Sequence, residues 1–300
     1  MKHIIESQQF DCDFLGQLFT RAEALAQNPQ LICTHKILAS LFYEPSTRTR
    51  FSFESAMMRL GGNVITTENA KEFSSAAKGE SIEDTIRVVG AYADVIVLRH
   101  YEMGMAARAA AVAAVPIINA GDGPGQHPTQ ALLDLYTIQR KRNHIDGTHV
   151  VMMGDLLHGR TVRSLCYLLG KYKDVRVTFV SLPHLQIADD IKEYFKKHRV
   201  QFHETDDVSS VLAEADVLYQ TRIQKERFNS MEAYEQSRGG YIITRAHTEV
   251  MKKDAIIMHP LPRLDEIQSE VDTSIHAAYF DQARYGVEVR MALLEYVLNT

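Results

Sequence analysis

The chain has 300 residues, of which 45% are apolar and 24% charged, so it is long enough to form two globular domains. Its formal net charge of −5 argues against nonspecific binding to nucleic acid, and no apolar run is long enough to span a membrane. Cys12, Cys33 and Cys166 are far apart and lack metal-ligand spacing, and the N-terminal segment lacks the apolar core of a secretory signal. These features predict a cytoplasmic protein with reduced thiols.

In the first half of the chain, short apolar runs alternate with segments of helical periodicity. Strands are predicted at 36–42, 63–67, 94–98 and 116–119. Helices are predicted after the polar turn 44–48, ending near residue 61, and over 81–92 and 128–142. The NHIDG segment, 143–147, breaks this alternation and predicts a domain boundary.

The alternation resumes in the second half of the chain. Strands are predicted at 150–153, 175–180, 200–202, 217–219 and 256–258, and a final helix at about 282–298. Because strands joined through helices imply right-handed crossovers, the fold class should be α/β, with two domains that each contain a parallel sheet flanked by helices. The predicted domains are 1–143 and 147–283, and the C-terminal helix, 284–300, is expected to join the first.

The most informative segment is the turn after the first strand, where three hydroxyl side chains and two arginines occupy five residues. These are Ser46, Thr47, Arg48, Thr49 and Arg50. A helix N-terminus presents unpaired N–H groups and the positive end of a dipole, which suits a phosphate group. A guanidinium adds a planar fork that fits phosphate oxygens. A plain capped helix is the alternative, but so many donors at the carboxyl end of a strand favour a phosphate site.

This turn resembles the carbamoyl-phosphate motif of the aspartate/ornithine carbamoyltransferase family. Residues 127–130 (HPTQ), which follow the glycine-rich 121–123 (GDG), resemble the second carbamoyl motif of that family. Residues 259–263 (HPLPR) resemble the aspartate branch, whereas the ornithine branch typically has a cysteine in the corresponding loop. The order and spacing of the three motifs agree with the family over the whole chain.

The resemblance implies that the first domain binds carbamoyl phosphate and the second binds aspartate. The expected carbamoyl-phosphate ligands are Ser46, Thr47, Arg48, Thr49, Arg99, His127, Gln130, Leu261 and Pro262. Four of these are the expected catalytic residues, namely Arg48, Thr49, Arg99 and His127. They would hold the phosphate group that leaves or stabilise the oxyanion that forms at the carbonyl carbon. By sequence alone, Arg99 would be a strand-end arginine in an ion pair and His127 a helix cap.

The expected aspartate ligands are Ser74, Lys78, Arg160, Arg222 and Gln224. The segment 154–161, which contains Arg160, invites a dinucleotide-binding interpretation, but it lacks the fingerprint of three glycines. Arg222 and Gln224 are two residues apart and would point to the same side of an extended chain. Residues 68–80 have no apolar periodicity and are typical of a surface loop, whereas in the family this loop enters the active site of the neighbouring subunit.

The implied reaction transfers the carbamoyl group of carbamoyl phosphate to the α-amine of L-aspartate, which gives N-carbamoyl-L-aspartate and phosphate in de novo pyrimidine biosynthesis. The resemblance implies no cofactor and no metal, and a homotrimer with shared active sites. It leaves open whether a regulatory chain or a dihydroorotase associates with this chain, and which group acts as the general base. Two alternatives remain: the same chemistry with another acceptor such as ornithine, and a non-catalytic scaffold of the same fold.

Overall fold

The computed structural model describes residues 2–73, 79–223 and 241–299. The chain divides into two compact units, of which the first comprises Met1–Leu133 with Ala283–Thr300 and the second Asp134–Gln282. The first unit is therefore discontinuous in sequence, whereas the second is continuous. In the described part of the chain, no helix combines the length and the apolar character needed to cross a membrane.

The first unit is built around a parallel sheet. Its strands are β1 (Ile37–Phe42), β2 (Asn63–Glu68), β3 (Val95–His100) and β4 (Ile117–Asp122). Its helices are α1 (Cys12–Gln27), α2 (Thr47–Arg59), α3 (Ala70–Phe73), α4 (Ile82–Gly90), α5 (Met105–Val112), the first turns of α6 (Pro128–Arg142) and most of α11 (Tyr279–Leu298). The four described strands lie in the order β2-β1-β3-β4, and every pair is parallel.

Strands β1, β3 and β4 are buried along almost their whole length, whereas the edge strand β2 is largely exposed. A parallel sheet covered by helices on both faces requires near-continuous apolar strands, and the runs ILASLF and VIVL meet this requirement. On one face, Leu41 and Leu98 of the sheet pack in a cluster with Ile86 of α4 and Ala109 of α5. This packing fixes the strand ends from which the site residues project.

The second unit repeats this plan with a larger sheet. Its strands are β5 (His149–Met153), β6 (Arg176–Val180), β7 (Gln201–Thr205), β8 (Val217–Gln220) and β9 (Ile256–Met258). Its further helices are α7 (Arg160–Leu169), α8 (Asp189–His198), α9 (Ser209–Leu212) and α10 (Arg245–Val250). The described strands lie in the order β7-β6-β5-β8-β9, all parallel, so the predicted α/β class with two parallel sheets is confirmed.

Several elements differ from the sequence prediction. The strand predicted at 200–202 extends to Thr205, and the final helix begins at Tyr279 rather than near 282. The sequence analysis missed α5, which begins after Gly104 at a positive φ of 84° and lies in an alanine-rich run. Helical periodicity is read from apolar residues that alternate with polar ones. A short run made mostly of alanine lacks this alternation, so the sequence gives little sign of the helix.

Buried charges join the strands at the amino-terminal edge of the second sheet. Asp216, directly before β8, accepts a hydrogen bond from the backbone N–H of His149 at 2.8 Å and from Lys252 Nζ at 2.8 Å. A guanidinium nitrogen of Arg142 lies 3.2 Å from the same carboxylate. Burial raises the pKa of Asp216, but the bonds from Lys252 and His149 and the charge of Arg142 lower it by more, so the pKa lies below its ordinary value of 3.8.

We predict that Asp216→Asn lowers the melting temperature near pH 7, because it removes the carboxylate that two cations share; a lost partner of this kind costs about 1–3 kcal/mol. A carboxyl with a depressed pKa stabilises the folded state above its unfolded pKa, and this stabilisation is lost as the pH falls through the folded pKa. The deficit, measured by calorimetry, should therefore stay constant from about pH 7 to 5 and shrink only below 3.8.

The control for this prediction is Asp254→Asn, because the Asp254 side chain is 73% exposed and pairs with the same Arg142. An exposed pair contributes little, so this variant should melt close to the wild type. A deficit in Asp216→Asn that already shrinks between pH 7 and pH 5 would show that a different group carries the effect.

Candidate active site

The carboxyl ends of β1, β3 and β4 lie side by side and carry most of the predicted ligands of the first unit. Phe42, the last residue of β1, is the register partner of Arg99, and His100 is the partner of Asp122 at the end of β4. The backbone N–H of Tyr43 donates to the carbonyl oxygen of Arg99 at 2.9 Å. The turn that follows β1, the side chain of Arg99 and the loop that leads to His127 therefore start from one edge of the sheet.

The turn itself exposes the amino terminus of α2. Ser46 is the N-cap residue, yet its hydroxyl makes no capping hydrogen bond to the helix. The first-turn N–H groups of Thr47, Arg48 and Thr49 have no partner within the helix, as at any helix start. Thr47 and Arg48 are exposed, whereas the side chain of Thr49 is buried. The turn thus presents backbone and hydroxyl donors of the kind that bind phosphate.

The two arginines of this turn have different surroundings. Arg50 lies 3.1 Å from the carboxylate of Glu68 and 3.8 Å from that of Glu54, so it ties α2 to the edge strand β2. Arg48 contacts no carboxylate within the described ranges of the chain. Desolvation by the surrounding protein lowers the pKa of Arg48, although its side chain keeps contact with solvent. Arg48 is therefore the cation of this turn that can face an anionic ligand.

Arg99 is buried and already paired with an acid. One of its terminal nitrogens lies 2.9 Å from Glu44 Oε2, and the other donates to the carbonyl oxygen of Ala120 at 3.2 Å. The Glu44 side chain is 40% exposed and lies two residues before Ser46, at the start of the polar turn between β1 and α2; this turn, residues 44–50, is called the phosphate turn. An anion bound at this turn would compete with the Glu44 carboxylate for the guanidinium of Arg99. The sequence analysis missed Glu44, although an acid inside a cation-rich motif is itself a signal.

A buried carboxylate shapes the loop that leads to His127. Asp122 accepts hydrogen bonds from the backbone N–H groups of Gly104 and Gln126, both at 2.9 Å. Gly123 has φ +50°, and a Cβ there would lie 2.5 Å from the carbonyl oxygen of Tyr101, so only glycine fits without a shift of backbone. The sequence analysis gave Asp122 no role. In the structure, its carboxylate holds the backbone of the loop that leads to His127.

His127 and Gln130 lie at the first turn of α6, and both are buried. The carbonyl oxygen of His127 accepts the N–H of Gln130 at 3.0 Å, which starts the helix directly after the loop. The His127 Nδ1 lies 3.4 Å from Thr129 Oγ1. The two side chains that the sequence predicts to bind the carbamoyl group thus belong to one helix start in the first unit.

In the second unit, the carboxyl ends of the neighbouring strands β5, β8 and β9 carry the other predicted ligands. Met153, the last residue of β5, is the register partner of Gln220, and its carbonyl oxygen accepts the N–H of Thr221 at 2.8 Å. Gly154 has φ +119°, and a Cβ there would lie 2.3 Å from the Thr221 carbonyl oxygen. This close approach brings the segment that leads to Arg160 alongside the segment that contains Arg222.

The turn before Arg160 is held by an acid and a histidine. Asp155, which is buried, accepts hydrogen bonds from the backbone N–H and from the Nδ1 of His158, both at 3.1 Å. Arg160 is the first residue of α7, after the N-cap Gly159, and both Arg160 and Arg222 are half-buried. Two guanidinium groups that follow adjacent strands suit a ligand with two carboxylates.

The HPLPR loop follows β9 at the same edge. Arg263 is bound to Asp272 through both terminal nitrogens and donates to the Tyr279 hydroxyl at 3.0 Å, so it anchors the loop. Leu261 and Pro262, joined by a cis peptide bond, have no polar side-chain atoms. The Leu261 N–H donates to His259 Nδ1 at 2.8 Å, and proline has no N–H. Within the described part of the chain, their carbonyl oxygens accept no hydrogen bond, and carbonyl oxygens can only accept hydrogen bonds.

Three predicted site residues, Ser74, Lys78 and Gln224, lie outside the described residues. Within the described ranges, no cluster of three His, Cys, Asp or Glu side chains could hold a metal ion. The structure thus places the predicted carbamoyl-phosphate ligands of the first unit at one sheet edge, and Arg160, Arg222 and the HPLPR loop at one edge of the second sheet.

Two family models match the chain. The carbamoyl-P binding domain of aspartate/ornithine carbamoyltransferase matches residues 2–140, and the Asp/Orn binding domain of that family matches residues 146–297. The Pisum sativum protein named aspartate carbamoyltransferase 3, chloroplastic, is 57% identical over 98% of this chain and 77% of its own length. The aspartate carbamoyltransferase catalytic subunit of Methanocaldococcus jannaschii is 48% identical over 100% of this chain and 98% of its own length.

Solved structures agree with these sequence relatives. The catalytic subunit of M. jannaschii aspartate transcarbamoylase superposes with a TM-score of 0.93 over 100% of this chain and 98% of that one, at 48% identity. Aspartate transcarbamoylase from Trypanosoma cruzi, in complex with carbamoyl phosphate and aspartate, superposes with a TM-score of 0.91 over 99% and 95% of the two chains, at 38% identity.

The pair of Glu44 and Arg99 leads to a prediction about phosphate binding. Glu44→Gln should strengthen the binding of inorganic phosphate about two- to fivefold, because a partly exposed acid of this kind competes with the anion by roughly 0.5–1 kcal/mol. Isothermal titration with phosphate at low ionic strength measures the effect. The matched control is Glu54→Gln, because Glu54 pairs with Arg50 instead. Weaker phosphate binding in Glu44→Gln would contradict the competition.

Proposed function

We propose the function of this protein from one premise: the chain belongs to the aspartate/ornithine carbamoyltransferase family. It transfers the carbamoyl group of carbamoyl phosphate to the α-amine of L-aspartate, and the products are N-carbamoyl-L-aspartate and phosphate. The observation that carries this conclusion is the agreement, over the whole chain, with relatives named for this activity. The reaction belongs to de novo pyrimidine biosynthesis.

For carbamoyl phosphate, we propose that Ser46, Thr47, Arg48 and Arg99 hold the phosphate group. The first-turn N–H groups and the dipole of α2 support this assignment, as does the charge of Arg48, which contacts no carboxylate among the described residues. Thr49, Arg99 and His127 would donate hydrogen bonds to the carbonyl oxygen as it becomes an oxyanion. One such donor is typically worth about 10²–10³ in rate. The deprotonated amine of aspartate attacks the carbonyl carbon and a tetrahedral intermediate forms. The C–O bond to phosphate then breaks, and the nitrogen loses one proton, which the departing phosphate can accept.

We assign the amide end of carbamoyl phosphate to Gln130, Leu261 and Pro262. The side-chain oxygen of Gln130 and the Leu261 and Pro262 carbonyl oxygens of the HPLPR loop are hydrogen-bond acceptors, and the NH₂ group is the donor of the substrate. An acyl phosphate that carries a methyl group in place of NH₂ would leave these acceptors without a partner. The loop therefore supports selection of a carbamoyl over an acetyl group.

For aspartate, we propose that Arg160 binds the α-carboxylate and that Arg222 and Gln224 bind the β-carboxylate, with Ser74 and Lys78 completing the anion site. The proposed domains are 1–143 with the helix 284–300 for carbamoyl phosphate, and 147–283 for aspartate. Holding both substrates in register supplies much of the catalysis, because it replaces the entropy cost of an encounter.

We propose that the protein works in the cytoplasm as a homotrimer whose subunits share active sites, with a regulatory chain or a dihydroorotase as a further partner. Support for an assembly comes from α2, where the apolar side chains of Phe51 and Met58 are each more than half exposed. A second copy of the chain would cover this surface beside the phosphate turn. Archaeal and bacterial relatives are named catalytic subunits, whereas several plant relatives are named chloroplastic.

The choice of amino acceptor tests the function directly. We predict phosphate release with L-aspartate and none above background with L-ornithine, because Arg160 and Arg222 would face a cationic side chain. The measurement is phosphate release at equal concentrations of the two amino acids. Faster release with ornithine would overturn the acceptor while leaving the transfer chemistry intact, and no release with either would indicate a non-catalytic scaffold.

The shared active site predicts complementation between inactive variants. Arg48→Ala removes up to two charge-assisted hydrogen bonds of about 1.5–3 kcal/mol each, and Lys78→Ala removes an ammonium that a neighbour would supply. Each variant alone should be nearly inactive. When the two are unfolded together and refolded, random mixing should make about a quarter of the sites wild type, and activity should return to that extent.

Two controls make the complementation experiment decisive. Native mass spectrometry must show hybrid trimers, and Arg48→Ala mixed with itself should regain nothing. Hybrid trimers without activity would mean that Lys78 acts within its own subunit.

A further inference from the structure

The imidazole of His259 is held in one protonation form by two partners. Its side chain is buried, its Nδ1 lies 2.8 Å from the backbone nitrogen of Leu261, and its Nε2 lies 2.9 Å from Glu266 Oε1. The Leu261 N–H can only donate, so Nδ1 must be the unprotonated nitrogen, and Nε2 carries the proton that it donates to the carboxylate. The ring is therefore a link between a loop backbone and a buried acid.

Glu266 holds the other side of the same loop. Its second oxygen, Oε2, accepts the N–H of Leu264 at 3.0 Å. Burial raises the pKa of Glu266, but the hydrogen bonds from His259 and Leu264 lower it by more, so the group remains a carboxylate. His259 and Glu266 together bind the backbone of the HPLPR loop at two points, one on each side of Pro262.

The backbone of His259 is held by a further set of buried side chains. Its N–H donates to Gln282 Oε1 at 2.9 Å, and Gln282 Nε2 donates to Asp134 Oδ1 at 2.6 Å. The other oxygen of Asp134 accepts the Tyr219 hydroxyl at 2.7 Å. Asp134, Tyr219 and Gln282 are all buried. A continuous chain of buried hydrogen bonds therefore runs from β8 and α6 to the loop, and such chains hold their members in one arrangement.

The HPLPR loop contains a residue in an unfavourable backbone conformation. Leu261 has φ +53°, a left-handed conformation that costs energy for any residue other than glycine. A residue in this region persists only where its surroundings hold it, and the hydrogen bond from its N–H to His259 Nδ1 is the contact that does so. The same conformation determines the direction of the Leu261 and Pro262 carbonyl oxygens.

We propose that His259 is a positioning residue for substrate selection: with Glu266, it aims the Leu261 and Pro262 carbonyls so that they accept the NH₂ group of carbamoyl phosphate. This inference rests on the proposed function, which places the carbamoyl group at the loop. The proposed role concerns only the HPLPR loop and not the phosphate turn of the first unit. The binding of inorganic phosphate should therefore not depend on His259. A merely structural histidine would affect both ligands alike.

The experiment compares two isosteric substitutions with three ligands: carbamoyl phosphate, acetyl phosphate and inorganic phosphate. The side-chain oxygen of His259→Asn can replace Nδ1 as the acceptor for the Leu261 N–H, whereas His259→Gln extends past it and replaces only the donor to Glu266. His259→Gln should bind carbamoyl phosphate about tenfold more weakly, the usual effect of one buried hydrogen bond, and should lose most of its preference over acetyl phosphate. His259→Asn should stay within about threefold of the wild type.

Controls separate this role from a general loss of structure. Inorganic phosphate should bind both variants as it binds the wild type, and His149→Gln, a buried histidine at the opposite edge of the sheet, should change none of the three affinities. Equal losses for carbamoyl phosphate and phosphate, or equal losses in the Asn and Gln variants, would overturn the proposal. If His259→Gln does not fold, Glu266→Gln replaces it and should weaken carbamoyl phosphate selectively; an unchanged affinity would overturn the proposal.

The wild type distinguishes this inference from the function on which it rests. A wild-type protein that binds carbamoyl phosphate and acetyl phosphate equally would refute the assignment of the NH₂ group to the loop, and His259 would lose its role with it. A wild type that prefers carbamoyl phosphate, combined with a His259→Gln variant that keeps the preference, would refute only the role of His259.

Discussion

The parallel arrangement of the strands is the constraint on which the rest of the structure depends. Because parallel neighbours need crossover connections, every strand of each sheet ends at the same edge, and the turns that follow adjacent strands meet there. In the first unit these turns contribute Arg48, Arg99 and the loop before His127. In the second they contribute Arg160, Arg222 and the HPLPR loop. A carbamoyltransferase needs cations for a phosphate and for two carboxylates, and the edge of each sheet brings cations together from segments far apart in sequence.

Where several cations lie at the edge of one sheet, neighbouring carboxylates reduce their mutual repulsion. The arginines differ in this respect. Arg50 and Arg263 are committed to carboxylates of their own unit and serve as anchors. Arg99 pairs with Glu44, whose side chain is partly exposed. Arg48 keeps its charge and its contact with solvent. The difference between an anchoring and a binding arginine is thus a matter of which carboxylate lies beside it.

This difference marks how far the sequence could predict the protein. Apolar runs and helical periodicity predicted the strands and the α/β class, because the strands of a parallel sheet that is buried on both faces are nearly continuous apolar runs. The ordered motifs predicted the family. Pattern alone could not separate Arg48 from Arg50, since both stand in one motif and differ in their contacts with Glu54 of α2 and Glu68 of β2. It also missed Glu44 as the partner of Arg99 and Glu266 as the partner of His259, because contacts made within loops have no period in sequence.

The discontinuity of the first unit has a consequence for how the protein is made. Residues 283–300 complete this unit: Glu295 pairs with Arg21 of α1 at 2.5 Å, Tyr296 packs on Phe14, and Arg290 lies over the ring of Phe53. These contacts join segments more than two hundred residues apart, and such long-range closure slows folding. On the ribosome, all strands of the first sheet emerge early, yet they wait for α11 while the continuous second unit is synthesised. The apolar surface of the first unit that α11 covers therefore stays exposed for most of translation. Chaperones bind exposed apolar surface, so we expect them to bind the nascent chain during this period.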